Sequence, residues 1–159
     1  MQNKASHIFL RLLLSFFTLS FSSFVAPAQW YDPDKVNPKA GELYGKAYEE
    51  ATSHNYAEAI RLLDDALKLE PKFVDVFLSR AGIRADMKNY SASVQDFETA
   101  LGMDSVYSKT YLLPYSISLA GTGRFQHALN AVNEFLANPK LNIQSVNAGK
   151  YRRSTYQFA

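Results

Sequence analysis

One segment of this sequence occurs twice in similar form, and this repetition limits the possible folds more than any other feature. Residues 55 to 71 read NYAEAIRLLDDALKLEP and residues 89 to 105 read NYSASVQDFETALGMDS, so each counterpart lies 34 positions further along the chain. The apolar and small positions agree best: Ile60 with Val94, Leu63 with Phe97, Ala66 with Ala100 and Leu67 with Leu101. A fixed period of this length predicts a repeat architecture, in which each unit buries its apolar face against its neighbours.

Each copy predicts two helices joined by a tight turn. In unit one, residues 40 to 73, Leu43 and Ala47 begin a stripe of apolar and small side chains spaced four residues apart, which is one face of a helix. Asn55 follows a break in this stripe and is placed to cap a second helix, with Glu58 completing a capping box. Two such helices pack as an antiparallel hairpin.

Small side chains are expected where the helices of a hairpin cross, because a larger group there would overpack by about 1–3 kcal/mol. Ser93 stands in unit two where Ala59 stands in unit one, so this crossing keeps a small residue while its composition changes. The residues predicted to define the repeats are Ala47, Tyr56, Ala59, Ala66 and Pro71, then Ala81, Tyr90 and Ala100, then Phe125 and Ala128.

A third unit, about residues 109 to 141, follows unit two (residues 74 to 107) and is less regular. Pro114 falls inside its first helix by register. A proline there removes a backbone hydrogen bond and kinks the helix, unless the helix begins only near Leu113. We expect an irregular first turn, and both a kink and a late start agree with the sequence.

These units resemble tetratricopeptide repeats (TPRs), whose 34-residue pattern has small residues at the helix crossing, an aromatic residue at the turn and a closing proline. The resemblance covers about residues 38 to 141 and implies an all-α fold, a right-handed superhelical stack of three helix hairpins. The sequence departs from the family pattern at five positions: Leu43 and Phe77 replace the usual tryptophan, Glu50 and Arg84 the usual tyrosine, and Ser105 the closing proline.

The N-terminal segment, residues 1 to 28, has the pattern of a secretory signal peptide. Lys4 precedes an apolar stretch, residues 8 to 24, and a small-x-small site ends at Ala28. Cleavage after Ala28 would export the chain to the periplasm or the cell exterior. Retention of the stretch as a membrane anchor is the alternative, although Arg11 interrupts it and a membrane span needs about 20 predominantly apolar residues.

Two further segments flank the repeats. Residues 29 to 37 have no helical period and predict an extended linker, with Asn37 placed to cap the first helix of unit one. Residues 142 to 159 predict a final helix that caps the open end of unit three, as terminal helices do in stacked repeats.

Composition excludes several kinds of chemistry. The chain has 159 residues and no cysteine, which rules out a disulfide framework, a thiolate metal site and a cysteine nucleophile. Two of its 17 Lys and Arg residues, Lys4 and Arg11, lie in the first segment, so fifteen remain to balance 15 Asp and Glu. This near-neutral body has no basic footprint for nucleic acid.

No catalytic, cofactor-binding or metal-binding residue is predicted. His54 and His127 are the candidates for a catalytic base, but neither has a partner at a usable spacing, so we interpret both as surface histidines. We therefore expect a chain that is not an enzyme and uses no cofactor.

The charges of unit one fit an exposed helix surface. Asp64 and Asp65 are neighbours on a helix and point about 100° apart, which does not suit an acid/base pair. We expect ion pairs between residues four positions apart instead, Arg61 with Asp65 and Asp64 with Lys68.

The TPR resemblance implies that the first helix of each unit lines a concave groove. Register places eight residues in it: Tyr44, Tyr48, Thr52, Leu78, Gly82, Asp86, Leu113 and Ile117. Their mixed aromatic and aliphatic character fits the docking of a partner peptide or helix through apolar anchors. Packing between units is an equal alternative for Tyr44 and Tyr48. The basic and asparagine residues with which some cytosolic relatives clamp chaperone tails are absent at these positions.

The order of segments resembles the N-terminal module of Gram-negative envelope proteins, in which such repeats precede a PD40-type β-propeller and often an OmpA-like domain. Besides the signal pattern, the arm and three repeats, the similarity includes Asn138 to Leu141 and the ending Tyr-x-Phe-Ala at residues 156 to 159. It implies a non-catalytic protein-interaction scaffold in the periplasm or at the outer membrane. Its partners would be an envelope protein or other domains of a longer parent protein. The alternative is a membrane-tethered assembly factor for an outer-membrane or secretion complex, held by a retained N-terminal helix.

Overall fold

A computed structural model describes residues 31 to 138, and all the regular structure among them is helical. Six longer helices form three antiparallel hairpins. They are Pro38–Thr52 (α1) with Tyr56–Leu69 (α2), Val74–Asp86 (α3) with Tyr90–Met103 (α4), and Leu112–Gly121 (α5) with Phe125–Ala137 (α6). The predicted all-α stack of helix hairpins is confirmed. The signal-peptide pattern at residues 1 to 28 and the predicted capping helix at residues 142 to 159 lie outside the described residues.

Consecutive hairpins pack side by side. The second helix of each hairpin contacts the first helix of the next, α2 with α3 and α4 with α5, and the first helices α3 and α5 also touch. Among residues 31 to 138, none of the helices combines the length and the apolar character needed to cross a membrane.

The turn inside each hairpin has the same backbone conformation. His54, Lys88 and Gly123 have positive φ angles of 60°, 60° and 79°. The next amide then donates back to the end of the preceding helix: Asn55 to Glu50 O, Asn89 to Arg84 O and Arg124 to Leu119 O, at 2.8–2.9 Å. This left-handed cap reverses the chain within three residues, which explains the tight turns that the repeat predicts.

Helix starts agree only in part with the predicted caps. Asn37 accepts hydrogen bonds from the backbone N–H groups of Lys39 (3.0 Å) and Ala40 (3.3 Å), as predicted. Asn55 makes no such cap, and its Nδ2 instead donates to Glu50 Oε2 at 2.8 Å. The predicted capping box is therefore wrong, because a carboxylate in the preceding helix takes the asparagine side chain.

Small residues lie at the helix crossings, as predicted. Ala59, Ala66, Ala81 and Ala100 are each 0% exposed. Ser93 is also 0% exposed, and its hydroxyl donates to Ala81 O at 2.7 Å. The crossing in unit two therefore gains a hydrogen bond that the alanine in unit one cannot make.

The aromatic residue of the second turn packs against the following hairpin. Tyr90 lies over Gly121, where any Cβ atom would overlap the tyrosine ring. Phe125 occupies the same register position in the third hairpin but is 70% exposed, because no further hairpin follows it within the described residues.

Unit three begins irregularly, as predicted, and by the late start. A single helical turn (Ser105–Ser108) and a 3-10 turn (Lys109–Tyr111) precede α5. Pro114 is the third residue of α5, where its missing N–H has no intrahelical partner to lose. The late start therefore accommodates the proline without a kink in the middle of a helix.

The described part of the predicted linker, residues 31 to 37, is not extended throughout. Pro33–Lys35 forms a 3-10 turn whose start is capped by Asp32. Tyr31 packs onto the stack: its N–H donates to Asp104 Oδ2 at 2.7 Å and its hydroxyl to Asp75 Oδ2 at 3.0 Å. Burial, followed by the negative charge of Asp75, raises the pKa of Tyr31. The lack of a helical period therefore did not reveal the 3-10 turn or the long-range contacts of Tyr31 in this segment.

Candidate functional site

A pocket of about 230 Å³ opens between α1 and α3. Its walls come from the two first helices and its floor from α2. The lining residues are Tyr44, Ala47, Tyr48, Ala51, Leu63, Ser79, Gly82, Ile83 and Asp86. Four of the eight predicted groove residues are therefore brought together here: Tyr44, Tyr48, Gly82 and Asp86. We call this feature the α1–α3 pocket.

The two tyrosines of the α1–α3 pocket have different roles. Tyr44 is 3% exposed, its hydroxyl lies 2.8 Å from Ser79 Oγ, and its ring centroid lies 5.3 Å from that of Phe73. Tyr48 is 50% exposed. Tyr44 thus packs between units and closes one end of the pocket, whereas Tyr48 presents an open aromatic face. Packing between units therefore holds for Tyr44, and a role of Tyr48 in docking stays a prediction.

The pocket exists because α3 has a glycine, Gly82, at the position that faces it. At Gly82 an added Cβ would meet no atom within 4 Å, so the space in front of it is open. Ala47 and Ala51 likewise leave the α1 wall shallow. A glycine in the middle of a helix costs about 0.5–1 kcal/mol relative to alanine, so α3 is less stable with Gly82 lining the pocket than it would be with alanine there.

Asp86 supplies the only ionisable carboxylate among the residues that line the pocket. It is the last residue of α3 and is exposed. Its side chain makes no hydrogen bond or ion pair with any other residue from 31 to 138. Thr52, its register equivalent in α1, is also exposed, but its hydroxyl donates to Glu49 O at 2.7 Å. Asp86 is therefore free to bind a ligand, whereas the Thr52 hydroxyl proton is engaged.

The other predicted groove residues are not in the α1–α3 pocket. Leu78 is 2% exposed and belongs to a core cluster with Phe97, so its predicted place on the groove surface is wrong. Leu113 and Ile117 are 39% and 62% exposed on α5. Ile117 occupies the register position of Gly82, 35 residues later, so an apolar surface continues along the third first helix.

A charge network that the sequence interpretation missed holds α3 in position. Arg80 Nη2 lies 2.7 Å from Asp96 Oδ1 on α4, and Arg80 Nη1 lies 2.5 Å from Asp64 on α2. Arg84 also pairs with Asp96, at 2.7 Å. Burial alone would lower the pKa of Arg80, but its hydrogen bonds and charge interactions with Asp96 and Asp64 outweigh this and raise it. The network therefore sets one wall of the pocket relative to its floor.

The same network corrects the expected surface pairs. Arg61 pairs with Asp65 at 2.7 Å, as predicted. Asp64 does not pair with Lys68, because it binds Arg80 of the next unit and Lys68 binds Asp65 at 2.7 Å. The signal in the sequence was Asp96, a carboxylate in the register position of Leu62, on a stripe that is otherwise apolar.

The candidate catalytic histidines are not brought together. His54 lies in the turn between α1 and α2, with its Nδ1 3.1 Å from the hydroxyl of Tyr56, whereas His127 is exposed on α6. Within residues 31 to 138, no group of three or more His, Asp or Glu side chains is arranged to hold a metal ion.

Comparison with known proteins identifies the fold. No family model matches the sequence, and no curated protein matches it. Solved structures do match: one is described as the first TPR of Spaghetti (RPAP3) bound to the HSP90 peptide SRMEEVD. It is similar with a TM-score of 0.61 and 15% identity, over 74% of this chain and 97% of that one. The helix hairpins of this chain therefore have the TPR fold.

Proposed function

We propose that this chain is a non-catalytic scaffold that binds a peptide or helix of a partner protein in the groove formed by its first helices. The α1–α3 pocket is the observation that carries the proposal. It combines an open aromatic face at Tyr48, open space in front of Gly82 on the α3 wall and a free carboxylate at Asp86. Small apolar pockets of this kind receive individual side chains of a bound segment.

The surface beyond the pocket supports a ligand that extends along the groove. Ile117 and Leu113 add exposed apolar area on α5, and α5 contacts α3, which forms one wall of the pocket. An extended or helical segment anchored in the pocket would reach these side chains. The similar TPR structure holds a peptide, which supports this class of ligand.

We place the scaffold in the bacterial cell envelope, either in the periplasm or at the outer membrane. This part of the proposal rests on the signal-peptide pattern of residues 1 to 28 and on the similarity of the segment order to envelope proteins. N-terminal sequencing of the protein isolated from cells tests it: a chain that starts at Gln29 supports export with cleavage. A chain that starts at Met1 favours the alternative, an assembly factor tethered by its apolar N-terminal stretch.

Site-specific photocrosslinking in intact cells tests the groove. A photoreactive phenylalanine at position 48 or 117 should crosslink to a defined partner. The same group at Thr99, which is exposed on the outer helix α4, should not. Equal crosslinking from position 99, or none from positions 48 and 117, would contradict the proposal.

A matched pair of glycine substitutions then tests whether the captured partner occupies the pocket. Gly82→Leu fills the pocket, whereas Gly102→Leu places the same side chain on α4, where an added Cβ also meets no atom within 4 Å. We expect Gly82→Leu to weaken binding of the purified partner at least about tenfold, a loss of about 1.4 kcal/mol. Gly102→Leu should leave the affinity unchanged. Both variants should fold, since leucine is a better helix former than glycine.

A further inference from the structure

We infer that the α1–α3 pocket takes a lysine or arginine side chain of the bound partner. The inference rests on the proposed function of the groove and specifies the chemistry of its ligand. It is carried by the size of the pocket, the nature of its walls and the charge at one end.

The size of the pocket fits one long side chain. Its volume of about 230 Å³ lies below the range of about 300–1,000 Å³ that is usual for small-molecule sites. The space is elongated along the helices, since its lining runs from Tyr44 and Ser79 at one end to Ala51 and Asp86 at the other. A flexible aliphatic chain with a polar tip matches this shape.

The walls suit the aliphatic part of such a side chain. Ala47, Ala51, Ile83 and the open face of Gly82 present carbon atoms along the length of the pocket. The ring of Tyr48, half exposed at the rim, offers a π face on which a cation is stabilised. Long basic side chains bury their methylene groups in this way while the charged group stays near solvent.

The charge at the far end selects a cation. Asp86 is the last residue of α3, and Thr52, its register equivalent, is the last residue of α1. The carboxyl end of a helix carries a partial negative charge. Both helix ends and the Asp86 carboxylate therefore make the electrostatic potential at this end of the pocket negative. Lys88, in the following turn, makes no ion pair with Asp86, and Arg84 is paired with Asp96.

Other side chains fit the pocket less well. A partner carboxylate would face Asp86 and the two helix ends, all of the same sign. A purely apolar side chain would cover Asp86 without giving it a partner, which is unfavourable for a charged group. A basic side chain alone satisfies the walls and the carboxylate together.

Selection of random peptides displayed against the purified full chain tests the inference. We expect the enriched sequences to share Lys or Arg at one fixed position when the wild-type protein is the target. The Asp86→Asn variant should show a weaker preference, since only the cation–π contact with Tyr48 then favours a cation. Enrichment without a fixed basic position would overturn the inference and leave the groove as a binding site. Failure to enrich any peptide would count against the proposed function itself.

A charge cycle on one enriched peptide gives the second test. The basic residue is replaced by its neutral counterpart, citrulline for arginine or norleucine for lysine. On the wild type, we expect about tenfold weaker binding by fluorescence anisotropy, the combined effect of a partly exposed ion pair and a cation–π contact. On Asp86→Asn, the difference should shrink to about two- to fivefold, because the cation–π contact with Tyr48 remains. An undiminished difference on Asp86→Asn would show that the cation binds elsewhere.

Glu49→Gln is the matched control for net charge. Glu49 is an exposed carboxylate of α1, but it does not line the pocket. This variant should keep the tenfold preference for the basic peptide. Loss of the preference in Glu49→Gln as well would reduce the effect to general charge attraction and overturn the assignment to this pocket.

Discussion

At the scale of single residues, the turns within the hairpins carry a recurring backbone strain. Three residues in equivalent positions adopt the left-handed conformation, and only the third of them, Gly123, is a glycine. His54 and Lys88 hold φ angles of 60° that a side chain with a Cβ adopts at a cost. The stack keeps this strain because the turn must reverse the chain within a few residues.

Relief of that strain gives the first prediction. Lys88→Gly should stabilise the protein by about 0.5–1 kcal/mol, since glycine adopts positive φ without steric penalty. The midpoint of chemical denaturation measures the change. Gly123→Ala, the opposite substitution at the equivalent turn, should lower the midpoint. If both variants unfold like the wild type, the turns do not have this conformation in solution.

At the scale of the helices, two kinds of contact hold the hairpins together: small residues at the crossings and one buried charge network. Asp96 is 3% exposed and accepts hydrogen bonds from both Arg80 and Arg84. Removing one partner of a buried ion pair leaves the remaining charge without compensation, which typically costs about 3–5 kcal/mol.

The second prediction concerns this carboxylate. Asp96→Asn should destabilise the protein by about 2–4 kcal/mol, because the amide cannot neutralise Arg80, which stays largely buried between three helices. Equilibrium urea unfolding measures the loss. Asp65→Asn, which removes a partly exposed carboxylate that pairs with Arg61 and Lys68 on the surface of α2, should have little effect. Equal effects of the two substitutions would mean that the Asp96 network is open to water.

The third prediction concerns the crossings. Ala66 and Ala100 are each 0% exposed, so Ala66→Glu or Ala100→Glu would place an unpaired charge in a closed space and should unfold the domain. Circular dichroism and thermal unfolding check this. Ala57→Glu, on the exposed face of α2, serves as the control and should fold normally. Normal unfolding of both crossing variants would refute the assigned register.

At the scale of the whole molecule, the stack ends in an apolar face. Phe125, Leu129 and Leu136 on α6 are 70%, 53% and 66% exposed. Leu129 stands in the register position of Val94, 35 residues earlier, and Val94 is only 4% exposed because the third hairpin covers it. The predicted capping helix of residues 142 to 159 would cover this face, and it stays a prediction.

Truncation tests that helix. A chain that ends at Asn138 should bind a hydrophobic dye more strongly and unfold at a lower temperature, because the face of α6 then has nothing to cover it. Replacing Phe125 and Leu129 by glutamine in the truncated chain should reduce the dye binding. Equal stability of the full and truncated chains would mean that residues 139 to 159 do not pack on α6.

Much of this architecture was predictable from the sequence, because it depends on local spacing. The 34-residue period, the alanines at the crossings and the asparagine before Pro38 each act within a single helix or hairpin. Side-chain size and capping chemistry therefore decide the outcome without knowledge of distant neighbours. The groove was predictable only through the TPR resemblance, which implies that the first helices line it, and register then places Tyr48, Gly82 and Asp86 along them.

The tertiary structure alone decided how neighbouring hairpins are placed against each other, and the remaining features follow from that placement. Leu78 and Gly82 lie on one helix stripe. Leu78 is buried because α4 packs against it, whereas Gly82 opens a pocket because no side chain among residues 31 to 138 covers it. Asp64 binds an arginine 16 residues away instead of the lysine four residues away. Tyr31 likewise binds Asp75 and Asp104, which lie 44 and 73 positions further along the chain. Sequence spacing determines which residues share a helix face. The offset between stacked hairpins determines what that face meets, and this offset results from all the interfaces together.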